Sequence, residues 1–503
     1  MSILAGVDLL AFEHHLLSPQ GRDRVPQDAA VATVGGFECC DQIRLGLILE
    51  DGVVRDAGFE AQGCGAATAA ASAAVALIRG HSVIDAARVG PDQIAAELGG
   101  LSPAKRHAAE LAADALARAL GAAVRRAAAI PLAAGRTLVA MSGGVDSAVA
   151  ALLCARQGET VAVTLELWGD AENDAQRSCC SASAVSQARR LAHSMGLPHV
   201  TLDLRDEFRA GVVEPFIAGY AGGETPNPCV GCNGHVRIDA MLELADRLGC
   251  EQLATGHYAR LAELDDPRGP LLRVAADPAK DQTYMLAALA PRTLARMTFP
   301  LGEMTKPEVR AIAGRAGLPV ADKADSQDLC FLAGTTRDRF LSRHGGLADR
   351  QGEIVAPDGS LLGHHRGQHN FTVGQRRGLR LASPEPLYVL AKDAETNQVR
   401  VGPREALAAR RVALRGVVLR RPGDRVDTVK LRYRSRRLPA TLPDGLEAGR
   451  RGRLEITLSE TAYGVAPGQL ACLMDGELVI GTGTIAAGHS EPRPRARAEK
   501  LIA

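Results

Sequence analysis

One short segment has the residue types needed to hold a phosphate group. Residues 142–147 read Ser-Gly-Gly-Val-Asp-Ser. Paired glycines let successive backbone N–H groups curl around an anion, and the hydroxyls of Ser142 and Ser147 can donate to phosphate oxygens. The segment is not a Walker A loop, because no Gly-Lys-Ser/Thr follows it. The alternative interpretation is a glycine-rich turn that binds nothing.

Clustered cysteines are the second feature that suggests chemistry. The chain has 11 Cys, among them a Cys-x-x-Cys pair at Cys229 and Cys232 and a further thiol at Cys330. An odd number of cysteines without an export signal indicates a reducing cytoplasm, where clustered thiols react or bind metal rather than form disulfides. Three other cysteines lie in apolar stretches and are predicted to be core residues: Cys154, Cys250 and Cys472.

The sequence shows no feature of export or membrane insertion. Its first residues carry Asp8 inside an apolar run and have no basic flank. The longest charge-free stretch, 61–78, contains Gln, Gly, Thr and Ser and is mostly alanine, which is typical of a packed helix and not of a membrane span. We therefore expect a cytoplasmic protein without a membrane partner.

Regular elements must position these residues, and the sequence indicates where they lie. Residues 136–141 read as a buried strand directly before the phosphate loop, and residues 148–158 as a helix directly after it, so the helix dipole would add to the anion site. Strands and helices alternate from there to about residue 332, which predicts a parallel sheet. Residues 1–125 instead show a hairpin turn at Asp51-Gly52, followed by an alanine-rich helix.

A chain of 503 residues is too long for one core, and we expect four domains. They are an α+β domain (1–125), an α/β parallel-sheet domain (135–333), a small, loop-rich central domain (334–400) and a C-terminal β-barrel (401–490). The net charge of +1 does not indicate nucleic-acid binding by the whole chain. Residues 401–450, however, hold 12 Arg and one Lys against five acids, which is either a phosphate-binding surface or a solvated arginine-rich face.

The phosphate loop is similar to the PP-loop of the ATP pyrophosphatases (adenine nucleotide alpha hydrolase-like fold), which adenylate a carbonyl oxygen and release pyrophosphate. Within that group, residues 225–233 (Thr-Pro-Asn-Pro-Cys-Val-Gly-Cys-Asn) and 325–331 (Asp-Ser-Gln-Asp-Leu-Cys-Phe) resemble the thiolase signatures of the tRNA 2-thiouridine synthase family. Further matching blocks lie at 254–259, 277–284, 299–302 and 372–379. In order along the chain, these blocks cover about 137–400 and continue weakly to about 485.

The resemblance implies ATP-dependent 2-thiolation of the wobble uridine of tRNA, with Mg²⁺ as cofactor. Cys330 would carry a persulfide sulfur and Cys232 would be its catalytic partner. The anticodon loop of tRNA and a cysteine desulfurase or sulfur carrier would be the partners. The implied ATP-binding residues are Ala140, Met141, Ser142, Gly143, Gly144, Val145, Asp146, Ser147, Leu165 (at the adenine) and Gly256. The central domain (334–400) would also contact tRNA. The implied tRNA contacts are His257, Lys280, Asp281, Gln282, Arg432, Tyr433 and Gln469.

Cys229 departs from the family pattern, because many members have Asp at this position. With Cys232 and Cys330 it would supply three thiolates, which suit a [4Fe–4S] cluster with one open iron that binds exogenous sulfide. Two other interpretations stay open. Cys229 is a spare thiol beside the catalytic pair, or the three thiolates bind zinc with Cys179 or Cys180 as fourth ligand.

Residues 31–121 resemble the iron–sulfur cluster scaffold family (NifU/IscU-like fold). The resemblance is carried by residues 36–41 (Gly-Phe-Glu-Cys-Cys-Asp), by the hairpin and by residues 63–67 (Gly-Cys-Gly-Ala-Ala). It implies a scaffold metal site of Cys39, Asp41 and Cys64. The family's third cysteine should fall within residues 106–111, where alanine stands, with His107 or Cys40 as the substitute.

Two other functions compete with thiolation. One is an iron–sulfur cluster carrier whose PP-loop domain does not thiolate, and the intact phosphate loop with both thiolase cysteines argues against it. The other is an amide-forming PP-loop synthetase, which would need neither Cys232 nor Cys330.

Overall fold

The computed structural model describes residues 9–35, 40–170, 182–262, 266–325 and 329–487. The chain forms two compact units, one of Met1–Val212 with Gly231–Thr336 and the other of Val213–Val230 with Arg337–Ala503. Several residues of the sequence predictions lie outside the described ranges, namely Cys39, Cys179, Cys180 and residues 326–328. None of the helices in the described ranges has the length and apolarity needed to cross a membrane.

The first unit begins with a three-stranded antiparallel sheet covered by helices. Asp51 and Gly52 both have positive φ (50° and 75°), as a two-residue hairpin turn requires, so the predicted hairpin is confirmed. The sheet order is β1-β2-β3. The elements are α1 (Leu9–Leu17), β1 (Ala30–Gly35), β2 (Gln42–Glu50), β3 (Val53–Gln62), α2 (Gly65–Ile78), α3 (Val83–Ala86), α4 (Pro91–Glu97) and α5 (Arg106–Arg126).

A five-stranded parallel sheet follows, in the order β10-β7-β4-β5-β6. The predicted parallel sheet is therefore confirmed, with its first strand, β4, in the centre. The elements of this stretch are β4 (Ala133–Ala140), α6 (Val145–Gln157), β5 (Thr160–Glu166), α7 (Ala182–Ser194), β6 (His199–Asp203), α8 (Arg205–Phe208), α9 (Glu214–Ala221), α10 (Pro228–Gly231), α11 (Ile238–Arg247), β7 (Cys250–Ala254), β8 (Arg260–Ala262), β9 (Leu271–Arg273), α12 (Thr283–Leu286), α13 (Pro291–Leu294), β10 (Met297–Thr298) and α14 (Lys306–Arg315).

The second unit contains a small sheet and a barrel. The small sheet has the order β12-β11-β14-β13 and packs Ile354, Phe371 and Val389 into one apolar cluster. Long loops connect its strands, such as residues 371–387, which contain no helix or strand. The remaining strands run in the order β15-β18-β17-β16-β19-β20, and β15 also pairs with β20, which closes the predicted barrel. The elements are α15 (Arg337–Gly345), β11 (Gly352–Val355), β12 (Leu361–His365), β13 (Tyr388–Asp393), β14 (Gln398–Gly402), β15 (Ala408–Leu419), β16 (Thr428–Lys430), β17 (Leu438–Thr441), β18 (Gly449–Tyr463), β19 (Leu470–Asp475) and β20 (Leu478–Ile485).

Helix α5 covers the outer edge of the parallel sheet. A Cβ atom on Gly121 would lie 2.0 Å from the carbonyl oxygen of Thr201, so the helix backbone touches the edge strand β6 where only glycine fits. The backbone N–H of His199, also in β6, donates to the carbonyl oxygen of Ala87 at 2.8 Å. An uncovered edge strand would present unpaired backbone groups to other chains. The N-terminal domain thus covers the exposed edge of the sheet of the following domain.

Buried ion pairs reinforce this contact. Arg189 of α7 is 1% exposed and pairs with Asp114 of α5. Arg118, also on α5, pairs with Asp114 at 3.1 Å and with Glu166 at the end of β5. Burial raises the pKa of Glu166, and the charge of Arg118 opposes this effect. The two domains are therefore joined by paired charges as well as by backbone contact.

Removing the charge of Arg189 should destabilise the protein strongly. Arg189→Met leaves Asp114 with Arg118 as its remaining arginine partner. Because the carboxylate is still paired, we expect a loss of about 1.5–3 kcal/mol, the value of a hydrogen bond to a charged group. The matched control is Arg190→Met, which removes a half-exposed pair with Glu110 and should cost below about 1 kcal/mol. Urea denaturation measures both free energies of unfolding, and equal losses would contradict the buried role of Arg189.

Candidate active site and metal centre

The phosphate loop connects the central strand β4 to helix α6. Gly143 has φ +69°, a conformation that favours glycine. The hydroxyl of Ser147 accepts from the N–H of Ser142 and donates to the carbonyl oxygen of Gly144, both at 3.1 Å, which closes the loop on itself. Gly144 caps α6 without a side chain, so the first N–H groups of the helix stay available to an anion.

The other predicted nucleotide residues surround this loop. A Cβ atom on Gly256 would lie 2.8 Å from the backbone nitrogen of Ser147, so the segment after β7 packs directly on the phosphate loop. Leu165 is buried in β5, the strand beside β4. All of these residues lie at the carboxyl ends of β4, β5 and β7, next to the central strand where the chain switches direction. Open parallel sheets bind ligands at this position.

A buried lysine that the sequence interpretation did not include lies against the phosphate loop. Lys306 Nζ lies 2.7 and 2.8 Å from the two carboxylate oxygens of Asp146 and 2.9 Å from Asp325 Oδ1. Tyr258 donates its hydroxyl to the same Asp146 at 2.9 Å. One signal was present in the sequence: Lys306 opens helix α14, where the helix dipole disfavours a positive charge.

Asp325 is held by three cations. Besides Lys306, Lys280 Nζ lies 2.6 Å from Asp325 Oδ2 and Arg310 lies 2.9 Å from Oδ1. Burial opposes ionisation of this carboxyl group, but the hydrogen bonds from Lys280 and Lys306 outweigh it and lower its pKa to about 2. Asp325 therefore stays charged at any physiological pH.

A second lysine reaches the phosphate loop from the same region of the chain. Lys323 Nζ donates to the carbonyl oxygen of Gly143 at 2.9 Å and to Gln187 at 2.7 Å. Two ammonium groups thus lie at the phosphate loop, one on its aspartate and one on its backbone. They provide positive charge where a polyphosphate would bring negative charge.

The two predicted catalytic cysteines begin short helical turns. Cys232 is buried at the start of the turn Cys232–Arg237, and Cys330 is half-buried at the start of the turn Cys330–Leu332. Both turns pack against residues 205–213. Phe331 stacks edge-on to Phe208 with ring centroids 5.9 Å apart, and a Cβ atom on Gly211 would lie 2.6 Å from Val236. The structure thus places both cysteine turns on one common segment.

Beyond the N-terminal domain, the other cysteines that the structure describes are three core residues and the half-buried Cys229. Cys154, Cys250 and Cys472 are buried, which confirms their prediction as core residues. Burial raises the pKa of Cys154 to about 11 and that of Cys250 to about 12, so both thiols stay protonated. Cys229, in the second unit, is half-buried, and its backbone N–H donates to Asn227 Oδ1 at 3.1 Å.

Several predicted tRNA contacts are already hydrogen-bonded inside the protein. Asp281 is buried and accepts the hydroxyl of Thr283 at 2.9 Å, and Gln282 Oε1 accepts the backbone N–H of Tyr258 at 2.9 Å. His257 lies 2.8 Å from the Thr255 hydroxyl. Burial lowers the pKa of His257 to about 3, so the ring is neutral at physiological pH. These side chains therefore stabilise the site through hydrogen bonds inside the protein.

The predicted contacts of the second unit differ in exposure. Arg432 is exposed and Tyr433 is half-buried. Gln469 donates to the carbonyl oxygen of Thr225 at 2.6 Å, which ties the barrel to the segment that leads to Cys229. Of these three side chains, Arg432 is the one placed to meet a phosphate from solvent.

Asp41, Cys64 and His107 form a second site in the N-terminal domain. Their ligand atoms lie within 4.8 Å of one another, the one such group of three His, Cys, Asp or Glu side chains in the described ranges. Asp41 Oδ2 lies 3.2 Å from Cys64 Sγ and 3.0 Å from His107 Nε2. Burial opposes ionisation of Asp41, yet hydrogen bonds from Cys64 and His107 lower its pKa. Thiolate, imidazole and carboxylate ligands suit zinc or iron.

The sequence interpretation named His107 and Cys40 as substitutes for the missing third cysteine. The structure brings His107, in the first turn of α5, to Asp41 and Cys64. Cys40 is exposed.

The chain is also similar to known protein families. Four family models match successive parts of the chain: the NifU-like N terminal domain (13–129), the tRNA methyl transferase HUP domain (135–334), the tRNA methyl transferase PRC-barrel domain (338–403) and the aminomethyltransferase beta-barrel domain (420–485).

Two relatives extend the match over most of the chain. The bifunctional protein NifU/MnmA of Rubrobacter xylanophilus is 42% identical over 487 residues, which are 94% of this chain and 97% of that protein. The tRNA-specific 2-thiouridylase MnmA of Geobacter metallireducens is 42% identical over 365 residues, which are 71% of this chain and 98% of that protein. With the phosphate loop, the cysteine turns and the N-terminal ligand group described above, the chain belongs to the MnmA family of tRNA-specific 2-thiouridylases, in the bifunctional form that carries a NifU-like domain.

Proposed function

We propose that this protein is a sulfurtransferase that uses ATP to convert uridine at the wobble position of tRNA to 2-thiouridine. The observation that carries the proposal is the combination of a phosphate loop backed by Gly256 with two cysteine turns, at Cys232 and Cys330, on one common segment. A phosphate loop alone supports adenylation. The two cysteines indicate that sulfur transfer follows adenylation. An amide-forming synthetase would not need these cysteines.

The chemistry begins with the C2 carbonyl of uridine, which is a poor electrophile. Adenylation converts its oxygen into part of a leaving group, and pyrophosphate departs. The loop N–H groups, Lys306 and Lys323 would neutralise the phosphates, and Mg²⁺ would accompany ATP. The anticodon loop suits this reaction because its bases are single-stranded and leave their stack at low cost.

Sulfur transfer would use both cysteines. The terminal sulfur of a Cys330 persulfide attacks C2, and AMP leaves with the original oxygen. The Cys232 thiolate then attacks Cys330 Sγ, which forms a Cys232–Cys330 disulfide and leaves the terminal sulfur on uridine. A thiol reductant resets the pair, and a cysteine desulfurase or sulfur carrier reloads Cys330. Cytoplasm supplies both the tRNA and the reducing conditions, and we place the activity there.

The proposal also includes an iron–sulfur cluster, because Cys229 adds a third thiol to the catalytic pair. Cys229, Cys232 and Cys330 supply the three thiolates of a [4Fe–4S] cluster with one open iron, which would present sulfide to the activated base without a persulfide. Protein purified without oxygen should then contain iron and absorb visible light. In a Cys64→Ala background, which removes a ligand of the N-terminal site, Cys229→Asp should remove the remaining iron and absorption. Cluster-free protein with full thiolation activity would contradict the cluster and leave the persulfide route.

The barrel of the second unit offers a surface for tRNA beyond Arg432 and Tyr433. The register of β15 and β18 places Arg415 directly opposite Arg453, and Glu224 already pairs with Arg415 at 2.7 Å. Arg453 is exposed, and an RNA phosphate would pair with it. We propose that residues 334–400 and 401–490 contact the tRNA, that residues 135–333 are catalytic, and that residues 1–125 serve iron–sulfur chemistry.

We also propose that Asp41, Cys64 and His107, with Cys39, hold a metal or an iron–sulfur cluster that serves the thiolation site. Deleting residues 1–125 is an ambiguous test because it uncovers β6 and leaves Arg189 without Asp114. Point variants keep the sheet covered.

Loss of His107 should weaken metal binding at this site. Co²⁺ added to the full-length protein should give thiolate and d–d absorption bands, and His107→Ala should remove most of the part contributed by Cys64, because one of the converging ligands is lost. The matched control is His14→Ala, an exposed histidine that lies outside this ligand group. Unchanged Co²⁺ spectra in His107→Ala would exclude His107 as a ligand.

The decisive test of the main function is nucleoside mass spectrometry of tRNA from cells that lack the gene. We expect 2-thiouridine to disappear and to return when the gene is restored. Persistence of 2-thiouridine would defeat the proposal and favour an iron–sulfur cluster carrier.

A further inference from the structure

Three surface segments of the second unit meet around one small apolar cluster. The cluster consists of Val373, Leu407 and Ala466. The segments are the loop after residue 371, the turn Arg404–Leu407 and the residues that follow β18. Two of them touch directly, because a Cβ atom on Gly374 would lie 3.1 Å from the Cα of Gly464. The three segments therefore form one continuous surface.

A tyrosine and an arginine stack on this surface. The guanidinium group of Arg404 lies over the ring of Tyr463, 4.5 Å from the ring centroid. Even with this cover, Tyr463 is 48% exposed. Nucleic-acid bases stack on tyrosine rings and on guanidinium groups, and any base can do so because each has a π-face. The stack therefore offers a flat surface to an unpaired base.

Positive charge surrounds the stack. Residues 372–380 hold three arginines and no acid. Arg376, Arg377 and Arg404 are exposed, and none of them forms an ion pair with another residue in the described ranges. These three arginines against Glu405, the acid next to Arg404, leave an excess of two positive charges. Phosphate groups of RNA supply the complementary negative charge.

The same surface continues toward the tRNA contacts that the family resemblance implied on the barrel. Arg436, three residues after Tyr433, pairs at 2.7 Å with Glu460 of β18, the strand that ends at Tyr463. Tyr433 also stacks with an arginine, since the guanidinium group of Arg434 lies 5.4 Å from its ring centroid. One strand of the barrel thus connects two arginine–tyrosine stacks.

We propose that Arg404, Tyr463, Arg376 and Arg377 form a stacking platform for one unpaired nucleotide of tRNA. The base would stack on Tyr463, and the neighbouring phosphates would pair with the arginines. This inference rests on the proposed function, since it assumes that tRNA is the substrate. A folded tRNA presents unpaired bases, whereas a duplex RNA keeps its bases paired and stacked. The platform therefore contributes affinity and substrate selection.

Binding of tRNA to full-length Tyr463→Ala tests the platform. Fluorescence anisotropy with end-labelled tRNA should show binding at least about fivefold weaker than for the wild type, the effect of losing one base stack. Tyr463→Phe keeps the ring and its π-face, so it should bind within about twofold of the wild type. In thiolation assays, Tyr463→Ala should raise KM for tRNA by the same factor and leave kcat unchanged.

The salt dependence of binding tests the arginines. Arg404→Gln should reduce the slope of log K against log salt concentration by about 1, the effect of one lost phosphate contact. The matched control is Arg55→Gln, which removes an arginine of the N-terminal sheet whose side chain is 71% exposed. It should change neither the affinity nor the slope.

A duplex RNA of the same length as tRNA separates base stacking from attraction to phosphates. Because the duplex offers no unpaired base, it should bind the wild type and Tyr463→Ala equally. Tyr463 and Arg404 are both exposed, so their variants should unfold in urea as the wild type does.

The results that would overturn the platform differ from those that would defeat the proposed function. If Tyr463→Ala binds tRNA as tightly as the wild type, the platform is wrong and thiolation still stands. Equal losses in Tyr463→Ala and Tyr463→Phe, or equal losses for tRNA and for duplex RNA, also exclude base stacking. A wild-type protein that binds no tRNA contradicts both the platform and the proposed function.

Discussion

Cys330→Ser should abolish formation of 2-thiouridine while tRNA-dependent release of pyrophosphate continues. Serine cannot carry a persulfide, so the activated base meets no sulfur nucleophile. The phosphate loop and Gly256 are untouched, so adenylation proceeds until adenylated tRNA accumulates. Mass spectrometry of the product tRNA measures thiolation, and a pyrophosphate assay under single-turnover conditions measures adenylation.

Cys232→Ser should give a different result from Cys330→Ser. Sulfur can still reach the base, but the link to Cys330 is not resolved, so tRNA stays attached until an added thiol releases it. A gel shift that disappears with dithiothreitol would show this intermediate.

The control for both cysteine variants is Cys154→Ala. The Cys154 thiol is buried in the core, and burial raises its pKa to about 11, so it takes no part in the chemistry. Its replacement should lower stability slightly and leave thiolation unchanged. Full thiolation by Cys330→Ser would remove Cys330 from the mechanism.

Gly256→Ala should strongly lower the rate of adenylation, because the added methyl group overlaps the phosphate loop. The added methyl group would lie 2.8 Å from the backbone nitrogen of Ser147 and 3.0 Å from its Cα, and these backbone atoms cannot rotate away. The phosphate loop must move, and a displacement near 1 Å at a reacting centre costs about 100-fold in rate. We expect pyrophosphate release to fall by about this factor while the protein unfolds as cooperatively as the wild type.

Gly314→Ala is the matched control for this substitution. Gly314 lies in helix α14, and no heavy atom lies within 4 Å of its added Cβ. Alanine is the better helix former by about 1 kcal/mol, so this variant should be active and slightly more stable. Equal activity of the two variants would show that Gly256 does not shape the phosphate loop.

The sequence predicted those elements that are determined by neighbouring residues in the chain. Two glycines between a buried strand and a helix dictate the phosphate loop, and Asp51-Gly52 dictates the hairpin, because few other residues adopt positive φ in pairs. The closed barrel was predicted from short strands and regular turns. The sequence did not predict the central sheet, β11 to β14, because its strands are short and long loops separate them.

The features that the sequence did not predict depend on distant contacts. Lys306 meets Asp146 across 160 positions of the chain, and no local pattern connects the two residues. Asp281 is buried and hydrogen-bonded to Thr283 and Ala275, whereas the family resemblance implied a tRNA contact there. Gly121 was one local sign of the domain contact, because a glycine inside a helix costs about 1 kcal/mol and calls for a compensating close approach.

The covering of β6 by helix α5 has a consequence for biosynthesis. A ribosome makes α5 before it makes the strands of the parallel sheet, so the helix can fold early with the rest of its domain. When β6 emerges, Gly121 and Arg125 of α5 already form a surface to which this strand binds. The N-terminal domain then serves its neighbour as an internal chaperone, protecting an edge strand from aggregation during synthesis.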